Sequence, residues 1–464
     1  MKIKLKNLGP LIETEFELGD LTIICGKNNT GKTYATYATY GFFDFWNKGY
    51  QLNLEKEIVA KLFANGKVTL DLSLYVEKAK GFISEANKQF SGMLFNVFAA
   101  KENLFKNADF KAEFAIRDEY LKDAIKFEAG SAERTILQIV KETASKDLVV
   151  SLMMDRAENG EMPSEHIIKT IISDTLKDLL FKRYIPRVFI ASAERTGAAI
   201  FQKELDFTRN RLVELLGDKG TGLPPLKLLD KFSSEYPIPV RRNVDFIREL
   251  PSVSNKDSSV YKKHADILSD FSTIIGGEYK LARNGEIQYI PDTNKRLRLS
   301  MMESSSAVRS LLDIGFYLRH MAEPGDMLIV DEPELNLHPE NQRRIARLFA
   351  RLVNIGIKVF ITTHSDYIIK ELNTLIMLNK KSSYTSRIAA EEKYDEKEFL
   401  AADQLKVFLA EDQMVLKKGN KKKTSCKSLT PANIDKNLGI EIKSFDSTID
   451  EMNKIQEALV WGDD

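Results

Sequence analysis

In GKNNTGKT, residues 26–33, every fixed position of the pattern G-x-x-x-x-G-K-[ST] is filled. The run before it, LTIIC, is apolar and β-branched and predicts a buried parallel strand. The segment from Thr33 to about Trp46 is rich in alanine, tyrosine and phenylalanine and predicts a buried helix. A strand, a glycine loop and a helix in this order form the context in which the pattern marks a phosphate site.

The chemistry of this loop follows from its residue types. Gly26 and Gly31 let consecutive backbone N–H groups point at one phosphate, and the helix that starts near Lys32 adds its positive end. The Lys32 ammonium can reach the β- and γ-phosphates, and the Thr33 hydroxyl can bind Mg²⁺. A glycine turn that binds nothing is the competing interpretation, which the flanking strand and helix disfavour. The residues predicted to contact the nucleotide here are Gly26, Lys27, Asn28, Asn29, Thr30, Gly31, Lys32 and Thr33.

Length and composition are those of a globular protein. The chain has 464 residues, of which 43% are hydrophobic and 29% charged, and this length suits two or three folding units. A net charge of +1 gives no global electrostatic case for nucleic-acid binding, although local basic faces remain compatible with it. Two cysteines argue against a disulfide framework. No apolar run approaches the roughly 18 residues of a membrane helix, so we expect a cytoplasmic protein without membrane contact.

A second strong signal lies about 300 residues after the loop. Met327 to Val330 predict a buried strand, and the carboxylates of Asp331 and Glu332 follow at its carboxyl end. With a phosphate loop present, Asp331 is the expected carboxylate for Mg²⁺, and Glu332 can polarise the water that attacks the γ-phosphate. Two acids at a strand end can also form an ordinary turn; Lys32 and Thr33 favour the catalytic interpretation.

A third core strand, Lys358 to Thr362, leads to His364, which could hydrogen-bond a γ-phosphate, although a lone histidine is more often structural. Another apolar run, Tyr184 to Ser192, is followed closely by Glu194 and Arg195. Those two charges fit ligand contacts at a sheet edge or a solvated ion pair on a turn, and the sequence does not separate the two.

Ser305 and Ser306 precede a helical pattern from Val308 to Met321. Serines at a helix start can cap its free amides or contact an anion, and both interpretations stay open. Other segments favour ordinary structure: a strand from Val68 to Leu72, a hairpin around Asn284-Gly285, and an amphipathic helix from Pro339 to Val353 whose arginines are expected to be solvated. Pro163-Ser164 predicts the start of a helix that runs to Phe181. The charged tail contains an alternating strand pattern near Leu405 to Leu409 and a predicted closing helix from Thr448 to Val460.

In order along the chain, GKNNTGKT, SSSAVRSL, MLIVDEPELNLHP and ITTHSD resemble the ABC-type ATPases of the RecF/SMC/OLD class. Within that class the chain is similar to the stand-alone ATPases of prokaryotic anti-phage systems, such as the PtuA-like ATPase of Septu. The resemblance is concentrated in residues 1–40 and 300–380. It implies an α/β P-loop NTPase fold of ABC type, with a RecA-like, mostly parallel sheet, antiparallel N-terminal strands and a helical insertion lobe.

The resemblance also implies roles for single residues. Lys32 and Thr33 match the Walker A lysine and magnesium hydroxyl, whereas Asp331 and Glu332 match the Walker B aspartate and the catalytic glutamate. His364 takes the place of the switch histidine. Ser305 and Ser306 lie where the family signature binds the γ-phosphate of ATP held by another subunit, so the family arrangement is ATP sandwiched between two protomers. Ala307 stands in place of the signature glycine and adds a methyl group that hinders close approach to the phosphate. A Q-loop glutamine cannot be placed.

We therefore predict an ATPase with ATP and Mg²⁺ as ligands, self-association as a dimer or higher oligomer, and a separate effector such as a nuclease. OLD members carry a nuclease module, and we expect none here, because the tail lacks clustered carboxylates. The predicted parts are residues 1–50 and 301–380 for the ATPase core, 51–180 for a mostly helical insertion lobe, 181–300 for a core strand with a helical arm and hairpin, and 381–464 for a small α+β extension.

Two alternative functions stay open. One is a RecF-type DNA-binding ATPase of repair or maintenance, for which the locally basic stretch from Gln202 to Ile275 and the run Lys417–Lys423 are weak support. The other is an ABC transporter subunit, against which the long insertion, the atypical signature and the tail argue.

Overall fold

The computed structural model describes residues 1–116, 122–131, 134–153, 164–200, 236–415, 424–441 and 451–459. These residues form two compact units. The first, called here the core unit, comprises Lys2–Gly41, Met93–Phe110 and Val188–Asp464; the second, the smaller unit, comprises Met1, Phe42–Gly92 and Lys111–Arg187. The run Lys417–Lys423 and residues 202–235 of the other basic stretch, which gave weak support to DNA binding, lie outside the described residues. The five-part division predicted from the sequence stays a prediction.

The elements are numbered in chain order. The strands are β1 Lys2–Leu8, β2 Leu11–Glu17, β3 Leu21–Cys25, β4 Lys67–Asp71, β5 Asp109–Glu113, β6 Ile125–Ser131, β7 Arg134–Lys141, β8 Asp147–Leu152, β9 Val188–Ala191, β10 Gly277–Leu281, β11 Ile287–Pro291, β12 Leu299–Ser300, β13 Met327–Asp331, β14 Lys358–Thr363, β15 Leu405–Val415, β16 Thr424–Pro431, β17 Ile434–Asp435 and β18 Gly439–Ile440. The helices are α1 Lys32–Lys48, α2 Lys56–Asn65, α3 Leu72–Gly92, α4 Leu94–Val97, α5 Glu165–Phe181, α6 Arg195–Ile200, α7 Ile238–Val253, α8 Ser259–Lys263, α9 Ala265–Ile275, α10 Ser306–Ser310, α11 Leu312–His320, α12 Pro339–Asn354, α13 Asp366–Leu378 and α14 Ser383–Glu391.

The core unit is built on eight sheet strands in the order β1-β2-β16-β15-β3-β14-β13-β9. From β15 to β9 the neighbouring strands are parallel. Every residue of β3 and β13 is buried, as expected for parallel strands covered on both faces. The mostly parallel sheet with antiparallel β1 and β2 agrees with the predicted P-loop NTPase fold.

The register of the parallel strands decides where functional side chains meet. Cys25 lies opposite Thr363, and Thr362 lies opposite Asp331. On the other side of β13, Val330 lies opposite Ala191. The loops that follow β3, β14, β13 and β9 therefore leave the sheet at one edge, the edge at which open α/β sheets bind their ligands.

The C-terminal tail contributes to this sheet, which the sequence analysis did not predict. The alternating run near Leu405 was recognised as a strand, but its partner was not. In the structure β15 pairs in parallel with β3, and β16 pairs antiparallel with β15. The tail is thus part of the sheet that carries the phosphate loop. The described residues 451–459 are helical, in agreement with the predicted closing helix, Thr448 to Val460, whose two ends lie outside the described residues.

The arginines of α12 were expected to be solvated. Arg343 is exposed as expected, whereas Arg347 is only partly exposed and Arg351 is buried. Arg343 pairs with Glu371 at 2.6 Å, and Arg347 pairs with Glu398 at 2.8 Å. Arg351 is buried and pairs with both Asp266 and Asp270. These acids lie on α13, on α9 and in the segment after α14, so their proximity depends on tertiary packing that the local sequence of α12 does not encode.

The predicted helix from Val308 to Met321 is divided in the structure. Helix α10 ends at Ser310, Leu311 has φ −105° and ψ 2°, and α11 begins at Leu312. The predicted hairpin around Asn284-Gly285 is confirmed by the antiparallel pairing of β10 with β11, and Gly285 has φ +80°.

The smaller unit combines helices α2, α3 and α5 with a four-stranded sheet in the order β4-β8-β7-β6. The predicted strand Val68 to Leu72 corresponds to β4, whereas β6, β7 and β8 were missed. Alternation of buried Leu137 and Ile139 on β7 is the period-2 signal that could have identified that strand. Ser164 caps α5 by accepting a hydrogen bond from the Ile167 amide, as its position in the sequence indicates. In the described part of the chain, no helix has the length and apolar content needed to cross a membrane.

Candidate active site

The loop between β3 and α1 has the backbone of a phosphate cradle. Gly26 has φ +142°, Asn29 φ +60° and Gly31 φ +98°. A Cβ atom on Gly26 would lie 2.5 Å from the carbonyl oxygen of Ala410 in β15. A Cβ atom on Gly31 would lie 2.7 Å from the Leu11 side chain. Both glycines are therefore required by conformation and by space, and strands outside the local motif set part of that requirement.

Lys32 lies inside the loop rather than extending into solvent. Its Nζ donates hydrogen bonds to the carbonyl oxygens of Gly26 at 2.8 Å and Lys27 at 2.9 Å. The Thr30 hydroxyl closes the loop with a 2.8 Å bond to the Lys27 carbonyl. Burial lowers the pKa of Lys32, while nearby carboxylates, Glu332 foremost, oppose the shift. An ammonium group has three donors, so this geometry leaves one for a phosphate oxygen.

Asp331 is fully buried at the end of β13. Its Oδ1 accepts a hydrogen bond from the Thr362 hydroxyl, and among the described residues its Oδ2 has no hydrogen-bond partner. Burial raises the pKa of Asp331 to about 6; the hydroxyls of Thr362 and Thr33 oppose this shift, and the charges of Glu332 and Glu194 add to it. A buried carboxylate oxygen without a partner is costly unless something binds it. Together with the nearby Thr33 hydroxyl, it fits a divalent cation.

A preformed metal cage is absent from the described residues, where no group of three or more histidine, cysteine, aspartate or glutamate side chains could hold an ion. A magnesium site of the nucleotide-dependent kind needs only one or two protein ligands, because phosphate oxygens and water complete it. Thr33 and Asp331 are the residues that would hold the ion together with a bound nucleotide.

Glu332 has an unusual backbone for a residue with a side chain, with φ +52°. Its amide donates to the Thr362 carbonyl at 3.2 Å and to the Thr362 hydroxyl at 3.1 Å. Its side chain lines a cavity of about 480 Å³ together with residues of the phosphate loop. Strained backbone that neighbouring contacts maintain is often found at active sites, and here it directs a carboxylate into the cavity.

His364 stands between two carboxylates. Its amide donates to Glu334 Oε1 at 2.8 Å, and its Nδ1 lies 3.3 Å from the same oxygen and 3.8 Å from Glu332 Oε1. Glu334 is buried, and burial raises its pKa. The structure thus brings His364, Glu332, Asp331 and the phosphate loop together, as the sequence analysis expected of them.

Glu194 and Arg195 match neither interpretation from the sequence completely, whether ligand contacts at a sheet edge or a solvated ion pair on a turn. Arg195 is only 1% exposed. Its guanidinium donates to four main-chain carbonyls: Ser310 at 2.6 Å, Ser192 at 2.8 Å, Asp331 at 2.7 Å and Glu332 at 3.0 Å. Arg195 is a structural residue that connects β9, α10 and the end of β13, and no local pattern in the sequence marks it as such. Glu194 is exposed and accepts a hydrogen bond from the Tyr37 hydroxyl at 2.7 Å.

Ser305 and Ser306 do not line the cavity above the phosphate loop of their own chain. Ser305 caps α10 by accepting a hydrogen bond from the Val308 amide at 3.3 Å, and both serines are exposed. The capping interpretation is therefore realised. An additional contact with an anion would have to come from a ligand that is not held by this chain's own phosphate loop.

Residues 1–369 match the family model described as the AAA ATPase domain. No curated protein matches the chain at a significant level.

Three solved structures illustrate a distant likeness. The SMC head domain from Thermotoga maritima has 11% sequence identity and a TM-score of 0.28, over 93% of this chain and 98% of that one. An Smc head bound to the C-winged helix domain of ScpA has 13% identity and a TM-score of 0.31, over 92% and 97%. An Smc head with an extended coiled coil, bound to the C-terminal domain of ScpA and derived from Pyrococcus furiosus, has 13% identity and a TM-score of 0.30, over 98% of each chain.

Proposed function

Because the chain belongs to the AAA ATPase domain family, we propose that it binds ATP with Mg²⁺ between two copies of itself and uses closure and hydrolysis to control a separate effector. The effector is a nuclease or a toxin, and the setting is prokaryotic antiviral defence. One observation supports the proposed ATPase activity: Lys32, Asp331 and Glu332 lie near one another at one edge of the sheet.

The proposed chemistry is hydrolysis of the γ-phosphate. Backbone amides of the loop and the Lys32 ammonium hold the β- and γ-phosphates, while Thr33 and Asp331 hold the metal ion. When bound, Mg²⁺ neutralises charge that develops on the transferring phosphoryl group. Glu332 accepts a hydrogen bond from the attacking water and takes its proton as the new P–O bond forms and ADP leaves. His364, fixed by Glu334, faces the same phosphate as a hydrogen-bond donor.

The two-protomer part of the proposal is supported by the position of the signature serines. Ser305 and Ser306 are exposed at the start of α10, and they do not line the cavity of their own chain. A second copy that places these serines over the γ-phosphate would complete the site in trans. Helix α10 is connected to the carboxyl end of β13, because Arg195 donates hydrogen bonds to the main-chain carbonyls of both Ser310 and Glu332. Binding of a second copy at these serines can therefore alter the position of Glu332.

The test is Glu332→Gln, which keeps the shape of the side chain and removes the base. We expect ATP binding to persist, hydrolysis to fall by about 100-fold or more, and the mass measured by light scattering to rise by a whole protomer on addition of ATP and Mg²⁺. Glu340→Gln, the same change at an exposed position of α12, should behave as wild type. Ser306→Arg added to Glu332→Gln should abolish the gain in mass while ATP still binds. No ATP-dependent gain in mass for Glu332→Gln would contradict the sandwich.

The effector part needs its own experiment. Purification of the tagged Glu332→Gln chain with ATP from its native host, followed by mass spectrometry, should recover a nuclease or toxin that wild type with ADP does not retain. If the chain alone instead binds DNA tightly and with steep salt dependence, the DNA-maintenance alternative replaces the effector proposal. The antiviral setting rests on the family resemblance of the sequence motifs.

A further inference from the structure

The sheet of the core unit opens into a groove between β2 and β15. Strand β16 lies between these two strands, but it pairs with β2 at one position, where Lys427 lies opposite Leu11. Strand β16 ends at Pro431, which pairs with Phe408, so the first residues of β15 extend beyond it. The resulting cavity has a volume of about 770 Å³. That volume lies in the range of cavities that bind ligands.

The groove has an apolar side and a charged side. On the β15 side it is lined by partly buried residues that pack against the hydrophobic core: Ala402, Ala432 and Ile434. On the β2 side it is lined by two ion pairs, Lys2 with Glu15 at 3.1 Å and Lys6 with Glu13 at 2.7 Å. A groove of this kind suits an amphipathic helix, which has one apolar face and one polar face.

The C-terminal tail carries such a helix. Residues 451–459 are helical, and every one of them is exposed. Met452, Ile455 and Leu459 are 55%, 54% and 81% exposed, and their spacing of three and four residues places them on one face. A helix of this length is only marginally stable in water by itself. Its helical form therefore indicates that a surface other than the described residues covers the apolar face.

The tail begins next to the groove. Ile434, which lines the groove, pairs with Ile440 in the short sheet of β17 and β18. The chain from Glu441 to Glu451 spans at most roughly 35 Å when fully extended, which is enough to reach a neighbouring molecule. Within the described part of the chain, the groove is open and the apolar face of the helix is exposed. A contact that covers both surfaces is therefore made between molecules.

We propose that the C-terminal helix of one copy of this chain docks in the groove of a second copy. Met452, Ile455 and Leu459 pack against the side formed by Ala432 and Ile434, and the polar face of the helix lies toward the ion pairs of β1 and β2. In a twofold dimer the exchange is reciprocal. One short helix covers less than the roughly 1,000 Å² of a stable interface, so the contact is weak alone and raises the effective concentration of the two copies. It requires no nucleotide and goes beyond the proposed function.

The experiment detects this contact between copies in the absence of nucleotide. Two chains in a Cys426→Ser background each carry one new cysteine, Ile455→Cys in the helix of one and Ala432→Cys in the groove of the other; the native Cys25 is buried. One chain is isotope-labelled, the two are mixed and treated with a short bismaleimide, and mixed pairs are counted by mass spectrometry. Because docking holds the two thiols together, we expect about tenfold or more mixed product than from a matched control pair.

The control pair keeps Ile455→Cys and replaces the groove cysteine with Glu278→Cys, because Glu278 is exposed on β10 and does not line the groove. Adding Met452→Asp and Leu459→Asp to the helix chain should remove the excess product. An excess of a peptide of residues 442–464 should also suppress it. Thermal unfolding followed by circular dichroism should be unchanged in these variants, because the substituted helix residues are exposed.

Three results would overturn the inference. The first is mixed product no greater than in the Glu278→Cys control, and the second is an excess that persists with both aspartates. The third comes from a chain that carries Ile455→Cys and Ala432→Cys together: a cross-link formed only within that chain would show that the helix docks in its own groove. Because nucleotide is absent throughout, failure of the proposed ATPase function would leave these results unchanged.

Discussion

The buried guanidinium of Arg195 donates a 3.0 Å hydrogen bond to the main-chain carbonyl of Glu332, the residue whose φ is +52°. A second bond of 2.7 Å reaches the carbonyl of Asp331. These bonds fix the backbone that carries the carboxylates of Asp331 and Glu332. They also explain why Glu332 keeps a left-handed backbone conformation at the end of a core strand.

Arg195→Lys keeps the charge but cannot span four carbonyls, because an ammonium lacks the planar fork of a guanidinium. Buried carbonyls lose their partners, so we expect the free energy of unfolding to fall by about 2 kcal/mol or more. Urea unfolding monitored by circular dichroism measures it. Arg344→Lys, at a half-exposed pair with Glu340 on α12, should change stability by about 0.5 kcal/mol or less. Equal stability of the two variants would remove the structural role given to Arg195.

Asp313 predicts a pH dependence of stability. It is buried on α11, where burial raises its pKa to about 7 and the charge of Arg195 opposes the shift. For an acid, a raised pKa in the folded state means that the unfolded state releases the proton first. The contribution of Asp313 therefore favours folding at low pH and is lost as pH rises from about 4 to 7.

Asp313→Asn removes this titration. In wild type, Asp313 should raise the unfolding free energy at pH 5.5 relative to pH 8 by about 2 kcal/mol. In Asp313→Asn this contribution should be absent. Urea titrations at the two pH values provide the measurement, and all other titrating groups cancel in the comparison. An identical pH dependence in wild type and Asp313→Asn would show that the carboxyl group titrates normally.

Gly26→Ala tests the packing of β15 on the phosphate loop. The new methyl group would meet the Ala410 carbonyl at 2.5 Å, and φ is +142° at this position. We expect a loss of about 2 kcal/mol or more in stability and a loss of ATP binding, both followed by thermal shift with and without nucleotide. Gly197→Ala is the control, because nothing lies within 4 Å of its Cβ position in α6. If Gly26→Ala retains wild-type nucleotide binding, the close approach of β15 is wrong.

The sequence was sufficient for the parts of the site that local motifs carry. The phosphate loop and the acidic end of β13 each follow a buried strand, and Lys32, Asp331, Glu332 and His364 come together as expected because parallel strands end at one edge. Side chains whose environment depends on distant segments were not predictable. For Arg195 the sequence left a ligand contact and a solvated turn both open. Its role as a buried structural residue was missed because its four carbonyl partners are spread over residues 192 to 332.

The same limit applies to the fold. The alternating pattern near Leu405 predicted a strand, but nothing in that pattern indicates pairing with β3, which lies more than 350 residues earlier. The arginines of α12 have the spacing of a solvated face, and their partners belong to other elements. Local patterns predict whether a segment is a helix or a strand, whereas the packing of the whole unit determines which elements lie beside it.

The proposed function requires that four separated segments of this chain converge on the triphosphate of ATP and its divalent ion. Isothermal titration calorimetry with ATP and Mg²⁺, applied to wild type and to Lys32→Ala, tests it most directly. The account predicts saturable binding by wild type and a loss of about tenfold or more in affinity for Lys32→Ala, since a charge-assisted hydrogen bond contributes about 1.5–3 kcal/mol. Equal and negligible heats of binding for the two proteins would contradict it.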